Sequence, residues 1–580
     1  MFLTSWAQTY MIDSVDIIQN SIDLKGEKDN SIILIDELGL SETHLTETGL
    51  FCLYASDALQ TPGKIKLIMN NVRAEKNNGI LVDVLSYSSG TLYLSNSLFI
   101  ENSSQNNALF YIFDNSAMIS TNNTFMKSFT RLGNLCIIGD TNYTGVANNF
   151  IYNVGKVASV MLSFNTNTGQ LTETKAGVYA NDLSDVSKAM YSSVSPSVGL
   201  YFLSSSQITH FASNFSHAYT GLITTADSNV NLKYCKIFGN RVLGVSLIGS
   251  FTSLTDLVIE NSIIDNNALT ADTTFNKVKF AFITMSSATL TASNNTISNS
   301  FSDGMLVFGN TIIARLTNLT LDYVVSHQSS QPLFLLSFAT IKVSDLNCIS
   351  TTGLFKLIES FLTLSQVSIT QMIATYANQF IADMFSSGII IQGMEFHGVD
   401  FSISASSPAP LISGQTSALY MLRTHFNNPR VGVRSIVSLT GQGNLQISDS
   451  TFLYSHGVMT SQLFELAGLE TIAINRCVFQ GVENLFAASD LSHFLFVENT
   501  VLTNSLGTLL NIGTSNDITL LSNQFINLQQ LIQSSVDLKY YSAEEYYATK
   551  SSEPIYLTGS QITVTDVLAT ALFQHNTFFY

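Results

Sequence analysis

The sequence predicts an all-β fold, a parallel β-helix solenoid of about 20–22 coils with roughly 26 residues in each. Three observations carry the prediction. One line of residues keeps returning, as LQISDSTF from Leu445, IAINRCVF from Ile472, FLFVENTV from Phe494 and ITLLSNQF from Ile518. Inside each copy apolar and polar residues alternate, the period of a strand with one buried face. The composition favours a large dry core: 46% hydrophobic and only 12% charged residues, with 38 Phe, 22 Tyr and 7 Pro among 580.

The period follows from the large apolar residue that ends each line. The series is Ile22, Val72, Phe99, Phe125, Phe150, Phe215, Ile237, Ile263, Ile297, Leu319, Cys348, Ile369, Phe396, Phe426, Phe452, Phe479, Val501, Phe525 and Phe578. Most steps span 21–34 residues; the steps of 50, 65 and 53 are read as two turns each, giving 21 steps over 556 residues, about 26 per step. Such a period means a solenoid or a propeller. The apolar spacing of two excludes helical repeats, and no fixed leucine frame appears. A four-stranded propeller blade needs about 40 residues. Three short strands joined by turns fit the step.

The polar slot before the anchor is often Asn, as at Asn96, Asn149, Asn214, Asn295 and Asn523. Asn tolerates the left-handed backbone of a sharp bend, and stacked amides form ladders. Geometry fixes only the residue class at each place, so the copies share shape and little identity.

The lines LYLSNSLF (92–99), LTASNNTI (290–297), LQISDSTF (445–452) and ITLLSNQF (518–525) resemble the right-handed parallel β-helix, or pectin-lyase-like, superfamily over essentially the whole chain. The Phe-, Asn- and Ser-rich, low-charge style also resembles β-helical regions of very large surface proteins of ciliated protists. The first resemblance implies a fold more than an activity. Its lyase-like members use calcium-holding carboxylates and an arginine base, and its hydrolase-like members use N-T-D, D-D, G-H-G and R-I-K segments. None of those four segments occurs here: His397 stands in FHG and His456 in SHG, and Asp449 and Asp322 are single outward carboxylates. No catalytic residue, cofactor or metal ligand is assigned.

The net charge of −17 argues against nucleic acid or an anionic membrane as partner. Stretches such as PLFLLSFATI (332–341) are too short for a membrane helix, and the first 20 residues lack a basic signal-peptide start. Cys52, Cys136, Cys235, Cys348 and Cys477 are far apart, without a C-x-x-C pair, and read as buried free thiols.

Two segments are candidate contact sites. MLRTHFNNPRVGVRS carries Arg423, His425, Arg430 and Arg434, which suit an acidic glycan or pair with acids across coils. Residues 536–556 break the repeat as an inserted loop with Tyr540, Tyr541, Tyr546 and Tyr547, which offer rigid contact area. Residues 166–198 read as a second insertion, with a short helix from Asp182 to Met190. Glycosylation sequons stand at Asn102, Asn122, Asn142, Asn214, Asn294 and Asn318.

The last line, LFQHNTFFY, runs on the repeat itself, and an uncovered sheet edge invites pairing. The expectation is therefore one β-helical domain, part of something larger, whose ends are covered by other protein chains. A non-enzymatic rod with a structural, adhesive or filament role, extracellular or at a cell surface, fits these features, with glycans as the second partner class. A carbohydrate-active lyase or hydrolase and a tailspike-like adhesin are the alternatives.

Overall fold

The computed structural model describes residues 66–526 apart from 78–81, 87–90, 105–107, 114–115, 156, 182–198, 244–245, 251–254, 271–280, 303–304, 327–331, 374–380, 401–409, 428–434, 454–461, 483 and 504–508. It also describes strands Tyr10–Asp13, Leu24–Gly26, Ile32–Asp36, Gly39–Ser41, Phe51–Ala55, Tyr546–Ala548 and Ile555–Thr558, and residues 562–578. The fold is an all-β parallel β-solenoid with coils of about 26 residues and no helix among the described residues. The chain is described as two compact units, Met1–Asp303 and Gly304–Tyr580. Each coil of a solenoid touches only its neighbours, so cohesion is local.

One coil of the first unit shows the rule. Strand Leu135–Ile138 ends at Gly139 (φ 74°), strand Asn142–Val146 ends at Ala147 (φ 55°), and strand Asn149–Ile151 ends at Tyr152 (φ 54°). Each corner is a single left-handed residue. In the second unit Phe338, Asp345 and Ser350 do the same (φ 52°, 56° and 54°). Left-handed backbone suits Gly and Asn best, which explains the many Asn corners, among them Asn71, Asn96, Asn122, Asn261, Asn294 and Asn318.

Each coil lies on the next in parallel register, so like residues stack. In the first unit the inward column runs Ala74, Phe99, Phe125, Phe150, Val178, Phe215, Ile237, Ile264, Ile297. In the second it runs Leu321, Cys348, Ile369, Phe396, Phe426, Phe452, Phe479, Val501, Phe525. The phenylalanines stack at the rung spacing: Phe99–Phe125 and Phe125–Phe150 at 5.0 Å, Phe426–Phe452 at 5.2 Å, Phe452–Phe479 at 5.1 Å.

These registers correct the expected series in four places. Val72 and Leu319 lie two positions before the true column residues Ala74 and Leu321; both are buried in the slot just after an Asn corner, which an apolar side chain also fills. Ile263 is exposed and Ile264 points inward. The step of 65 does contain two turns, with Val178 between Phe150 and Phe215. The step of 53 is one turn, because Phe525 pairs directly with Phe578 and the extra chain forms an insertion.

The expected insertion at 166–198 also starts too early. Strand Ala158–Thr174 and strand Gly177–Tyr179 belong to a coil, in which a shift of register between Thr166 and Leu171 marks extra residues. The proposed helix at Asp182–Met190 lies outside the described residues. In the insertion at 536–556, Tyr546–Ala548 and the nearby Ile555–Thr558 pair antiparallel with Ile562–Gln574.

The expected Asn slot is two slots. Asn96 is an exposed corner, donating to Asn70 at 3.0 Å and accepting from Asn122 at 2.9 Å. The residue after such a corner is buried, and there Asn295 and Asn523 sit, whereas Asn149 and Asn214 face outward one position further on. Asn523 is fully used: its oxygen accepts the Asn499 backbone N–H at 2.9 Å, and its amide donates to the Phe496 carbonyl at 2.8 Å. Substituting Asn523→Ala leaves both partners buried and unpaired, so a loss of about 2 kcal/mol is expected in urea denaturation.

Candidate functional site

The sequence-derived sites separate in the structure. Arg423 and His425 are exposed on strand Ala418–Asn427, with Arg423 itself a left-handed corner (φ 52°). In the stack beside them, Arg476 grips Asp449 with two hydrogen bonds, Nε to Oδ1 at 2.6 Å and Nη2 to Oδ2 at 3.0 Å. The Arg476 guanidinium holds the Asp449 carboxyl below the usual carboxylate range, and Arg423 adds a smaller pull. Arg423 thus belongs to a cross-coil charge ladder. Arg430 and Arg434 lie outside the described residues, as do Tyr540 and Tyr541; Tyr546 and Tyr547 lie on strand Tyr546–Ala548.

Of the sequons, Asn122, Asn142, Asn214, Asn294 and Asn318 are exposed. Asn102 is a correction: it is fully buried, its amide donates to the Ala74 carbonyl at 2.9 Å and its oxygen accepts from Asn77, so the folded chain has no room for a glycan there. Cys136, Cys235, Cys348 and Cys477 are buried and form no disulfide, as expected, and burial pushes the Cys235 thiol up to about 11 and those of Cys348 and Cys477 up to about 12. Such thiols are inert at neutral pH.

An exposed aromatic face in the first unit went unpredicted. It lies on the outward side of strands Gly177–Tyr179, Asn214–Ser216 and Lys236–Phe238 and on the corners beside them. Tyr152 meets Tyr179 at 5.7 Å, Tyr179 meets His217 at 5.1 Å, and His217 meets Phe238 at 5.5 Å, each pair tilted or edge-on. A second pair, Phe211 and Tyr234, touches at 5.3 Å. Gly239 (φ 65°) makes this packing possible, since a Cβ there would stand 3.2 Å from the His217 Nε2 atom. The rings steady one another while Tyr152, Tyr179, Phe211, Tyr234 and Phe238 stay 39–54% exposed. Monomer surfaces seldom gather large apolar side chains this way. The available signal is an aromatic one or two places after the anchor, in FIYN (150–153), VYAN (178–181), FSHA (215–218) and IFGN (237–240).

Cations line the same face. Lys175 and Lys236 are exposed; Lys233 pairs with Glu260 at 3.0 Å; Arg241 reaches the Asn266 carbonyl at 2.6 Å.

The first unit also hides a polar cluster inside its core. Gly145, Glu173 and His210 occupy one inward column on successive coils. Tyr143 donates its hydroxyl to Glu173 Oε1, and the space for that pair exists because Gly145 has no Cβ. His210 stands edge-on to Tyr201 at 4.8 Å and to Phe215 at 5.0 Å. Glu173 Oε2, the Tyr201 hydroxyl and both His210 nitrogens are buried without a hydrogen-bond partner. Burial raises the Glu173 carboxyl to about 7 and lowers His210 to about 3. All four side chains are sealed from solvent, so the cluster bears on stability.

In the second unit two adjoining shallow grooves of about 450 and 500 Å³ share Ser438 and Thr440. Asp383 is the carboxylate described in the first, held by Lys356 at 3.5 Å and by the Ser413 hydroxyl at 2.7 Å; Glu465 is its counterpart in the second. Among the described residues no group of three or more His, Cys, Asp or Glu side chains could hold a metal ion, and no helix is long and apolar enough to cross a membrane. No protein-family model matches the chain, and no curated protein matches it.

Proposed function

We propose that the chain is a non-enzymatic β-helical scaffold of the right-handed, pectin-lyase-like type, with an adhesive or assembly role at a cell surface or in an extracellular structure. The carrying observation is the outward aromatic face, whose rings are fixed by their neighbours and remain open to solvent. Rigid aromatic area with a polar, charged rim is the composition of protein contact surfaces. A stack of similar coils holds such a face at a fixed geometry without moving parts.

The grooves of the second unit favour a second reading, glycan contact, since hydroxyl and amide groups line them: Ser413, Gln415, Ser438, Thr440, Gln462 and Asn511. An inverting hydrolase needs two carboxyls about 6.5–9.5 Å apart, whereas Asp383 is already tied to a lysine. Incubating the purified chain with pectate, alginate or heparin and following new reducing ends or unsaturated products tests the main reading. No turnover is expected; turnover overturns it.

A further inference from the structure

We infer that the aromatic face of the first unit is a self-assembly surface, and that its occupant is an acidic surface of a second copy of this chain. The inference rests on the reading of that face as the chain's contact surface and adds its partner. Charge is the reason. The chain carries 42 Asp and Glu against 25 Lys and Arg. The aromatic face departs from that balance: Lys175 and Lys236 stand beside the rings without an ion-pair partner among the described residues. Its nearby acids are engaged, Glu260 by Lys233 at 3.0 Å and Asp265 by the Ser298 hydroxyl at 2.7 Å and the Asn299 amide at 3.0 Å. A locally cationic, aromatic patch on a polyanion is complementary to the rest of its own surface.

The other side of the contact is also present. Asp322, Asp345, Glu359, Glu470 and Asp490 are exposed in the second unit and form no ion pair among the described residues. These carboxylates stand at separate places on the second unit; joining the aromatic face to any of them makes the contact heterologous, and a heterologous contact that does not close into a ring propagates. Tyr234 and Phe238 would supply the anchors and Lys175 and Lys236 the rim, where charge steers encounter and screens with salt.

Sedimentation velocity of the whole chain over a concentration series, at low and at high salt, tests the inference. Wild type is expected to associate, and to associate less at high salt. The Tyr234→Ala/Phe238→Ala chain is expected to associate about tenfold more weakly or worse. The Lys175→Glu/Lys236→Glu chain, whose changes lie on the surface and spare the core, is expected to lose the salt dependence as well. Association of both variants equal to wild type overturns the inference, and so does a wild type that stays monomeric throughout the series. Neither result touches the non-enzymatic reading, which fails only on polysaccharide turnover.

Discussion

Replacing Glu173 with Gln will stabilise the first unit at neutral pH by about 3 kcal/mol and leave it unchanged near pH 4. The carboxyl sits in a dry column and its folded value is raised from 4.5 to about 7. The sign follows directly. Between these values the unfolded chain has released its proton and the folded chain has kept it, so stability falls as pH rises and is constant above the folded value. Gln keeps an oxygen for the Tyr143 hydroxyl and removes the ionisation. His210 acts in the opposite sense. Its folded value is lowered from 6.5 to about 3, so the unfolded chain binds the extra proton first and stability is lost as pH falls from 6.5 toward 3. His210→Phe, which retains a ring against Tyr201 and Phe215, is therefore expected to gain on wild type by up to about 5 kcal/mol between pH 6.5 and pH 3, and the difference is expected to stop changing with pH above 6.5.

In wild type the two slopes oppose one another between pH 4.5 and 6.5. Each variant unmasks the other limb. Urea midpoints at a series of pH values, taken as the difference between variant and wild type, isolate these groups from the remaining carboxylates. Tyr143, Tyr201 and Cys235 also face the cluster, and burial raises all three, so they stay neutral across this range. A difference that does not vary with pH would show that Glu173 and His210 titrate in the folded chain as they do in water.

The same Glu173 shows how far the sequence could be read. The coil through Val178 escaped notice because LTETKAGV places Glu where the rule demands an apolar residue, and only the register of neighbouring coils shows that carboxyl pointing inward. Elsewhere the winding was legible because stacking enforces one class of residue at every rung, as in the unbroken run Phe396, Phe426, Phe452, Phe479. Errors of two positions at Val72 and Leu319 have one cause: the buried slot after a corner accepts Ser, Asn or an aliphatic residue, and an aliphatic one mimics the column.

The exposed aromatic face was less legible because outward positions obey no such rule. Tyr152, Tyr179, His217 and Phe238 come from four coils and from two different offsets after the anchor, so sequence spacing alone never gathers them. Density along the chain drew attention to Arg423 and His425 instead. The partner that explains Arg423's surroundings, the Arg476–Asp449 pair, stands a coil or more away in sequence and becomes visible only with the register known.

Phe452→Ala will cost the second unit about 4 kcal/mol, the largest loss expected from a single column residue. Phe452 is fully buried, lies flat between Phe426 and Phe479 at 6° and 10°, and takes the edge of Phe464 at 5.7 Å. Truncation removes the ring's transfer energy and leaves a cavity that the parallel ladder cannot close, because strand Thr451–Leu453 is pinned in register to the coils on either side. Phe452→Leu refills most of that volume and is expected to cost under about 1.5 kcal/mol. In a solenoid the damage stays with the nearest neighbours. Hydrogen exchange should therefore quicken in Ala418–Asn427 and Val478–Val482 and remain unchanged in Phe334–Ser337. Equal loss of protection across all of these strands would mean that the second unit unfolds as one cooperative block, and a cost below about 1 kcal/mol would mean that the phenylalanine column is not what holds its coils together.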